Sequence, residues 1–214
     1  MPALPALFPS FVCYRGVAVT EDDFAGAGTE IPPALAAAIP RRRAEFVAGR
    51  LCARAALNAL GAVSTEIPRA ADGSPEWPAG FVGSISHTSG LAFAAACRAA
   101  DAQSLGLDVE RLVAPDLARQ LATIVATPAE RARFDLAGAE FSIIFSAKEA
   151  VYKCLYPLVR EFLEFTDVEI EAIGADRFTC RLTRALSAAF PAGTAIEGRY
   201  TILDGMIHAG VVLR

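Results

Sequence analysis

Leu105-Gly106-Leu107-Asp108-Val109-Glu110 is the stretch around which the rest of the chain is read. Alternation puts Leu105, Leu107 and Val109 on one face of a strand and Gly106, Asp108 and Glu110 on the other, so an apolar face can enter a core while two carboxylates converge opposite it. Residues 141–153 contain neither proline nor glycine and suit a helix, on which Glu149 and Lys153, four apart, project from one side. A third carboxylate and an ammonium can therefore meet the strand pair. Hard oxygen ligands of this kind suit Mg²⁺, which takes one or two protein carboxylates and completes its octahedron with water and substrate phosphate. Singly, each part has a plainer reading: Asp-x-Glu on a strand is commonly a solvated face, and Glu149 with Lys153 is an ordinary i,i+4 pair.

The 214 residues allow one large domain or two small lobes, and a hydrophobic share of 54% supplies ample core. A net charge of -4 argues against the broad basic surface that nucleic-acid binders carry. Five cysteines, an odd number, are scattered without any Cys-x-x-Cys, which argues against a disulfide framework or a zinc site and points to reduced thiols. The opening residues lack a basic segment and are broken by Pro2, Pro5 and Pro9, unlike a secretory signal, and no apolar run approaches the roughly 20 residues needed to cross a bilayer. The expectation is a soluble cytoplasmic monomer with no nucleic-acid or membrane partner.

Outward from the opening stretch, residues 11–20 read as a first strand and 21–30 as a connecting loop. Pro40 opens and Gly61 closes a helix over residues 41–60. At 100° per residue Arg43, Arg50 and Arg54 fall within about 20° of a common line, whereas Arg42 lies about 80° from Arg50. Residues 68–80 form a loop with a turn at Asp72-Gly73. Ser84-Ile85-Ser86-His87 lies on a strand or its exit, where hydroxyls beside an imidazole make a good anion cradle. His208, in a strand with no motif around it, reads as structural. Helices follow over 115–126 and 128–136, the second with a capping box in reach at Thr127-Pro128-Ala129-Glu130. Strands are predicted over 166–170, 178–182, 195–203 and 206–213, the last two joined by an Asp204-Gly205 hairpin turn. Helices followed by strands in each half suggest an α+β fold.

The three motifs Gly83-Ser84-Ile85-Ser86-His87, Gly106-Leu107-Asp108-Val109-Glu110 and Phe145-Ser146-Ala147-Lys148-Glu149-Ala150-Val151-Tyr152-Lys153, in this order, resemble the 4′-phosphopantetheinyl transferases. The likeness is to the larger class that activates siderophore and nonribosomal peptide synthetases. Arg41-Arg42-Arg43-Ala44-Glu45-Phe46-Val47-Ala48-Gly49-Arg50 and the stretch from Trp77 to His87 look like its enterobactin-type branch. The likeness runs over about residues 41–157.

The resemblance implies two similar α/β lobes related by a pseudo-two-fold, residues 1–110 and 111–214, with the active site between them. It implies that coenzyme A is the donor substrate, that Mg²⁺ is the cofactor, and that the arm passes to a serine of an apo carrier protein. Arg42, Arg50, Arg69, Asp72, Ser86 and His87 would hold the coenzyme A phosphates, together with Asp108, Glu149 and Lys153. Arg69 can supply a planar phosphate donor, whereas Asp72 has the wrong sign for direct contact and would act through its backbone. Asp108, Glu110, Glu149 and the Val109 carbonyl would ligate Mg²⁺; Asp108, Glu149 and Lys153 are the catalytic set, Lys153 serving the leaving phosphate and Glu149 the serine proton. Helix geometry favours Arg43 and the resemblance Arg42 as partner to Arg50. Residues 121–125 and 155–160 are candidates for carrier docking. The competing readings are a module that binds coenzyme A or a carrier without transfer, and a metal-dependent nucleotide phosphohydrolase.

Overall fold

Pro40 has no amide proton to waste at the first turn of a helix, and Gly61 takes the left-handed conformation (φ 74°) past its end; between them α2 runs over Pro40–Ala59. The structure, a computed structural model, describes residues 2–19, 31–88 and 90–214. A short α1, Pro33–Ala36, precedes α2. Three strands carry it: β1 (Cys13–Ala18), β2 (Phe81–Thr88) and β3 (Leu91–Arg98), antiparallel in the order β1-β3-β2. As the central strand, β3 is buried from Ala92 to Cys97, and its alanines let α2 come close. Cys52, Ala53, Ala56 and Leu57 pack with Ala94, Ala96 and Ile67 into one core. The first strand is shorter than the predicted 11–20; Thr20 and the loop predicted over 21–30 lie outside the described residues.

A second set of elements opens with β4 (Ser104–Arg111) and continues through α3 (Pro115–Val125), α4 (Pro128–Arg133) and α5 (Ala139–Val159). A 3₁₀ turn at Phe165–Asp167 leads into β5 (Val168–Ile173), β6 (Arg177–Leu182), β7 (Ala195–Leu203) and β8 (Met206–Leu213). Their sheet runs β4-β8-β7-β6-β5. Asp204 (φ 52°) and Gly205 (φ 71°) both sit at positive φ, as a two-residue turn matched to strand twist requires, so β7 and β8 end where the sequence put them. The strand predicted from 166 begins instead at Val168, because Glu164 and Asp167 cap one another and wind the intervening residues into the 3₁₀ turn. The helix predicted from residue 128 ends at Arg133 rather than 136, the chain turning extended at Phe134. Around residues 141–153 the helix is longer than the Pro- and Gly-free window, taking Pro157 into its last turn and closing on Arg160 in the left-handed region.

The chain thus forms two compact units, Met1–Leu105 with Leu213–Arg214, and Gly106–Val212. Each is a strand, then helices, then antiparallel strands, with its first strand beside its last. This is the expected mixed fold of two like-planned α/β units. Most of β4 goes with the second unit because it lies beside β8 in that sheet.

Candidate active site

A methyl group on Gly106 would lie 1.9 Å from the Ala150 carbonyl oxygen and 2.8 Å from the Cys154 Cβ, so α5 crosses β4 closer than any side chain permits. Two residues on, the strand's pleat brings Asp108 to the same helix face. Its Oδ2 accepts a hydrogen bond from the Ser146 hydroxyl at 2.7 Å and its Oδ1 one from Lys153 Nζ at 2.6 Å. Ser146, Glu149, Ala150 and Lys153 follow the i, i+3, i+4, i+7 rhythm of one helix stripe. Asp108 is 5% exposed, so this carboxylate is held by two charge-strengthened bonds largely out of water.

Glu149 belongs to the same group. Burial pushes its carboxyl up from the usual range, the Lys153 charge pulls it back, and the Asp108 charge pushes it up again. Beside it opens a cleft of about 90 Å³ lined by Tyr152, Phe162, Leu163 and Phe165. Glu110 behaves differently: its Oε1 accepts the backbone amide of Arg111 at 2.7 Å. Among the described residues no three His, Cys, Asp or Glu side chains stand together as a metal group. The strand-face reading gathered three carboxylates; in the structure Glu110 turns back onto its own backbone. The donor set still fits a hard cation, since Asp108 and Glu149 are two oxygen donors whose mutual charge already raises Glu149's proton affinity, a cost that a divalent ion relieves.

Lys148, in the middle of the Lys-Glu motif, faces away from this group. Its ammonium, 2% exposed, donates to Glu130 Oε2 at 2.7 Å, Val125 O at 2.8 Å and Phe165 O at 2.9 Å. Glu130, fully buried, also accepts the amides of Ile170 and Thr127, each at 2.6 Å. The predicted capping box is therefore real, and its carboxylate additionally clamps α5 to the end of α3 and to β5. Burial lowers the Lys148 ammonium's proton affinity and Glu130 restores part of it. Removing one member would strand a buried charge, at a cost of about 3–5 kcal/mol. Nothing in the sequence near Lys148 names Glu130 as its partner; only the capping pattern hinted that Glu130 mattered.

In the first unit, β2 alternates, so Gly83, Ile85 and His87 share one face and Ser84, Ser86 and Thr88 the other, the latter three buried. Ile85 meets α2 at Gly49, where a Cβ would stand 2.7 Å from it, and His87 meets α2 one further turn toward its start. Arg42 Nη1 donates to His87 Nε2 at 2.5 Å, whereas Arg43 Nη1 reaches the Ala36 carbonyl. Arg42 is thus the arginine of the leading run that stands at the histidine, and Ser86 points to the opposite face. Glu45, 8% exposed, sits beneath: its Oε2 is 3.5 Å from His87 Nδ1 and 3.6 Å from Arg42, and its Oε1 is 3.1 Å from Arg41 Nε.

Arg50, 8% exposed, stacks its guanidinium 3.9 Å over the Phe46 ring, and its Nε and one Nη have no hydrogen-bond partner among the described residues. Burial lowers it to about 10, with the charges of Arg69 and Arg42 adding to the effect. A buried cation pressed by two more cations favours an anion. Asp72 takes no such role: its Oδ1 accepts from the Ser74 amide at 2.9 Å and the Ser74 hydroxyl at 2.6 Å, fixing the turn whose Gly73 lies against Arg69.

The charged groups just described lie on α2, on β2 and the loop before it, and on β4, α4 and α5, and comparison with known proteins matches these same regions. The family model for the 4′-phosphopantetheinyl transferase N-terminal domain matches residues 32–97, and that for the 4′-phosphopantetheinyl transferase superfamily matches residues 104–202. The chain is 34% identical over 231 aligned residues to 4′-phosphopantetheinyl transferase Svp of Streptomyces mobaraensis, covering 98% of this chain and 89% of that protein. It is 33% identical to 4′-phosphopantetheinyl transferase PptT of Mycobacterium tuberculosis, covering 86% of this chain and 85% of that one. Enterobactin synthase component D of Escherichia coli is 36% identical over 53% of this chain and 54% of its own length. An enzyme of the transferase class is what these matches define. The chain belongs to the 4′-phosphopantetheinyl transferase superfamily. No helix among the described residues is long and apolar enough to cross a membrane.

Proposed function

We propose that the protein transfers the 4′-phosphopantetheine arm of coenzyme A to a serine of an apo carrier protein and releases adenosine 3′,5′-bisphosphate. The observation that carries this reading is the set of Asp108, Glu149 and Lys153 where α5 crosses β4, in a chain of this family. The serine oxygen attacks the β-phosphorus as the bond to the oxygen bridging the α-phosphate breaks. Glu149, its proton affinity raised by burial, accepts the serine proton on a carboxylate oxygen. Lys153 Nζ directs its charge and a proton toward the leaving phosphate, and Asp108 holds that ammonium in place. Ser146 fixes the other oxygen of Asp108.

Asp108 and Glu149 would hold Mg²⁺ with the Val109 carbonyl, and Glu110 would add a further oxygen on giving up the Arg111 amide. When bound, the ion neutralises charge on the pyrophosphate oxygens. Arg50, Arg42, Arg69 and His87 hold the remaining phosphates; Asp72 serves by shaping the loop that carries Arg69. The cleft beside Glu149, lined by Tyr152 and Phe162, offers an apolar wall for a small part of the arm. Supporting a carrier of nonribosomal peptide or siderophore synthesis, and a place near the enterobactin-type branch, are the Arg41-to-Arg50 segment of α2 and the likeness to enterobactin synthase component D.

The test incubates the protein with coenzyme A, Mg²⁺ and a panel of apo carriers and weighs the products. Holo-carrier should form with wild type and not after chelation by EDTA or in Asp108→Ala, whose circular dichroism should match wild type. Phosphate release without any carrier, or holo-carrier formation by Asp108→Ala near the wild-type rate, would refute the reading.

A further inference from the structure

In the structure as it stands, Arg42 Nη1 lies 2.5 Å from His87 Nε2. A guanidinium only donates, so Nε2 must present its lone pair, and the ring proton is on Nδ1, facing Glu45 Oε2 at 3.5 Å. A phosphate oxygen is also only an acceptor. It cannot approach Nε2 in this tautomer, because two lone pairs would meet. Turning the proton round to Nε2 would leave a bare Nδ1 lone pair against the Glu45 carboxylate, which is equally unfavourable. The arrangement that satisfies both neighbours is the imidazolium, with Nδ1–H toward Glu45 and Nε2–H toward the anion.

We infer that Glu45 is a positioning residue that couples phosphate binding at His87 to the uptake of one proton by the imidazole. The inference rests on the proposed binding of coenzyme A phosphates to this basic cluster. The surroundings support it. Among the described residues, α2 places Arg42 and Glu45 at the ring, with Arg41 on the other Glu45 oxygen, and β3 places the uncharged Ala92 opposite His87. Glu45 is the carboxylate that three basic side chains share, and it is 8% exposed, so its charge acts on the ring with little screening. With the anion in place Arg42 turns its donors from His87 to the phosphate, and the imidazolium keeps Glu45 as its counter-ion.

The test uses adenosine 3′,5′-bisphosphate as probe, titrated calorimetrically near pH 8 in two buffers of different ionisation enthalpy. At that pH a phosphate monoester is already doubly charged, its second ionisation lying near 6, so protons taken up go to the protein. Wild type should take up close to one proton per site, and binding should tighten as pH falls toward about 6.5. In Glu45→Gln the uptake should drop at pH 8, with binding about tenfold weaker there and equal or tighter near pH 6.5. Loss of a repelling charge alone would tighten binding at both pH values, and that result overturns the inference. His87→Gln, which keeps a donor but does not titrate, should bind with no uptake, and it carries the test should Glu45→Gln fail to fold. Uptake that survives His87→Gln, or binding of wild type without uptake, also overturns it. If the bisphosphate fails to bind wild type at all, the phosphate-binding reading falls first and the inference with it.

Discussion

Glu149 shows how a single side chain carries opposed demands. Its carboxyl holds a proton more tightly in the folded protein than in the unfolded chain, chiefly through burial. A raised carboxyl contributes its full stability below the unfolded carboxyl range, and that contribution is lost as pH rises through the folded value. Near pH 7 the ionised group is therefore a burden that the reaction requires. Glu149→Gln should melt at a higher temperature than wild type near pH 7, with the gap closing below about pH 4, while holo-carrier formation is lost. Thermal melts of both proteins across that range check the sign. Arg50 is the cationic counterpart, buried on Phe46 with two nitrogens unpaired among the described residues, and its guanidinium lowered to about 10.

Between elements the decisive contact is α5 on β4. Gly106→Ala would drive a methyl into the Ala150 carbonyl, which belongs to helix backbone and cannot swing aside. The helix must lift, and Lys153 and Ser146 lose Asp108. We expect a loss of about 1–3 kcal/mol in stability and a larger proportional loss in kcat than in KM for coenzyme A, measured by denaturant unfolding and by steady-state kinetics. Much of this level was legible beforehand. Period, Pro40 and Gly61 specified α2, and Asp204-Gly205 specified the β7–β8 hairpin, because these signals are local. Asp108, Glu149 and Lys153 could be chosen because strand alternation and helix spacing fix which side chains share a face. The Lys148–Glu130 clamp could not be read, since its partners are 18 residues apart in sequence and meet only after α4 packs. Glu45 under His87 was hidden for the same reason, across 42 residues, and the Glu110–Arg111 contact depends on a rotamer that no pattern encodes.

At the scale of the whole chain, five free cysteines are distributed through both units. Cys52, Cys97, Cys154 and Cys180 are buried, and burial pushes Cys52 and Cys180 up to about 12 and Cys97 to about 11. Cys13 is half-buried, and burial raises it too. Thiolate, the reactive form, is therefore scarce at Cys13, Cys52, Cys97 and Cys180. Native protein treated with a thiol reagent near pH 7 should be labelled slowly and first at Cys13, all five reacting only after denaturation; intact-mass spectrometry counts the adducts. The unit from Gly106 to Val212 has one further property. Its first and last strands are neighbours, and the Gln103 amide donates to the Leu213 carbonyl at 2.8 Å, so the polypeptide leaves this region where it came in. A gene segment with that geometry has its two ends side by side, so a circular permutant of it needs only a short splice to join them.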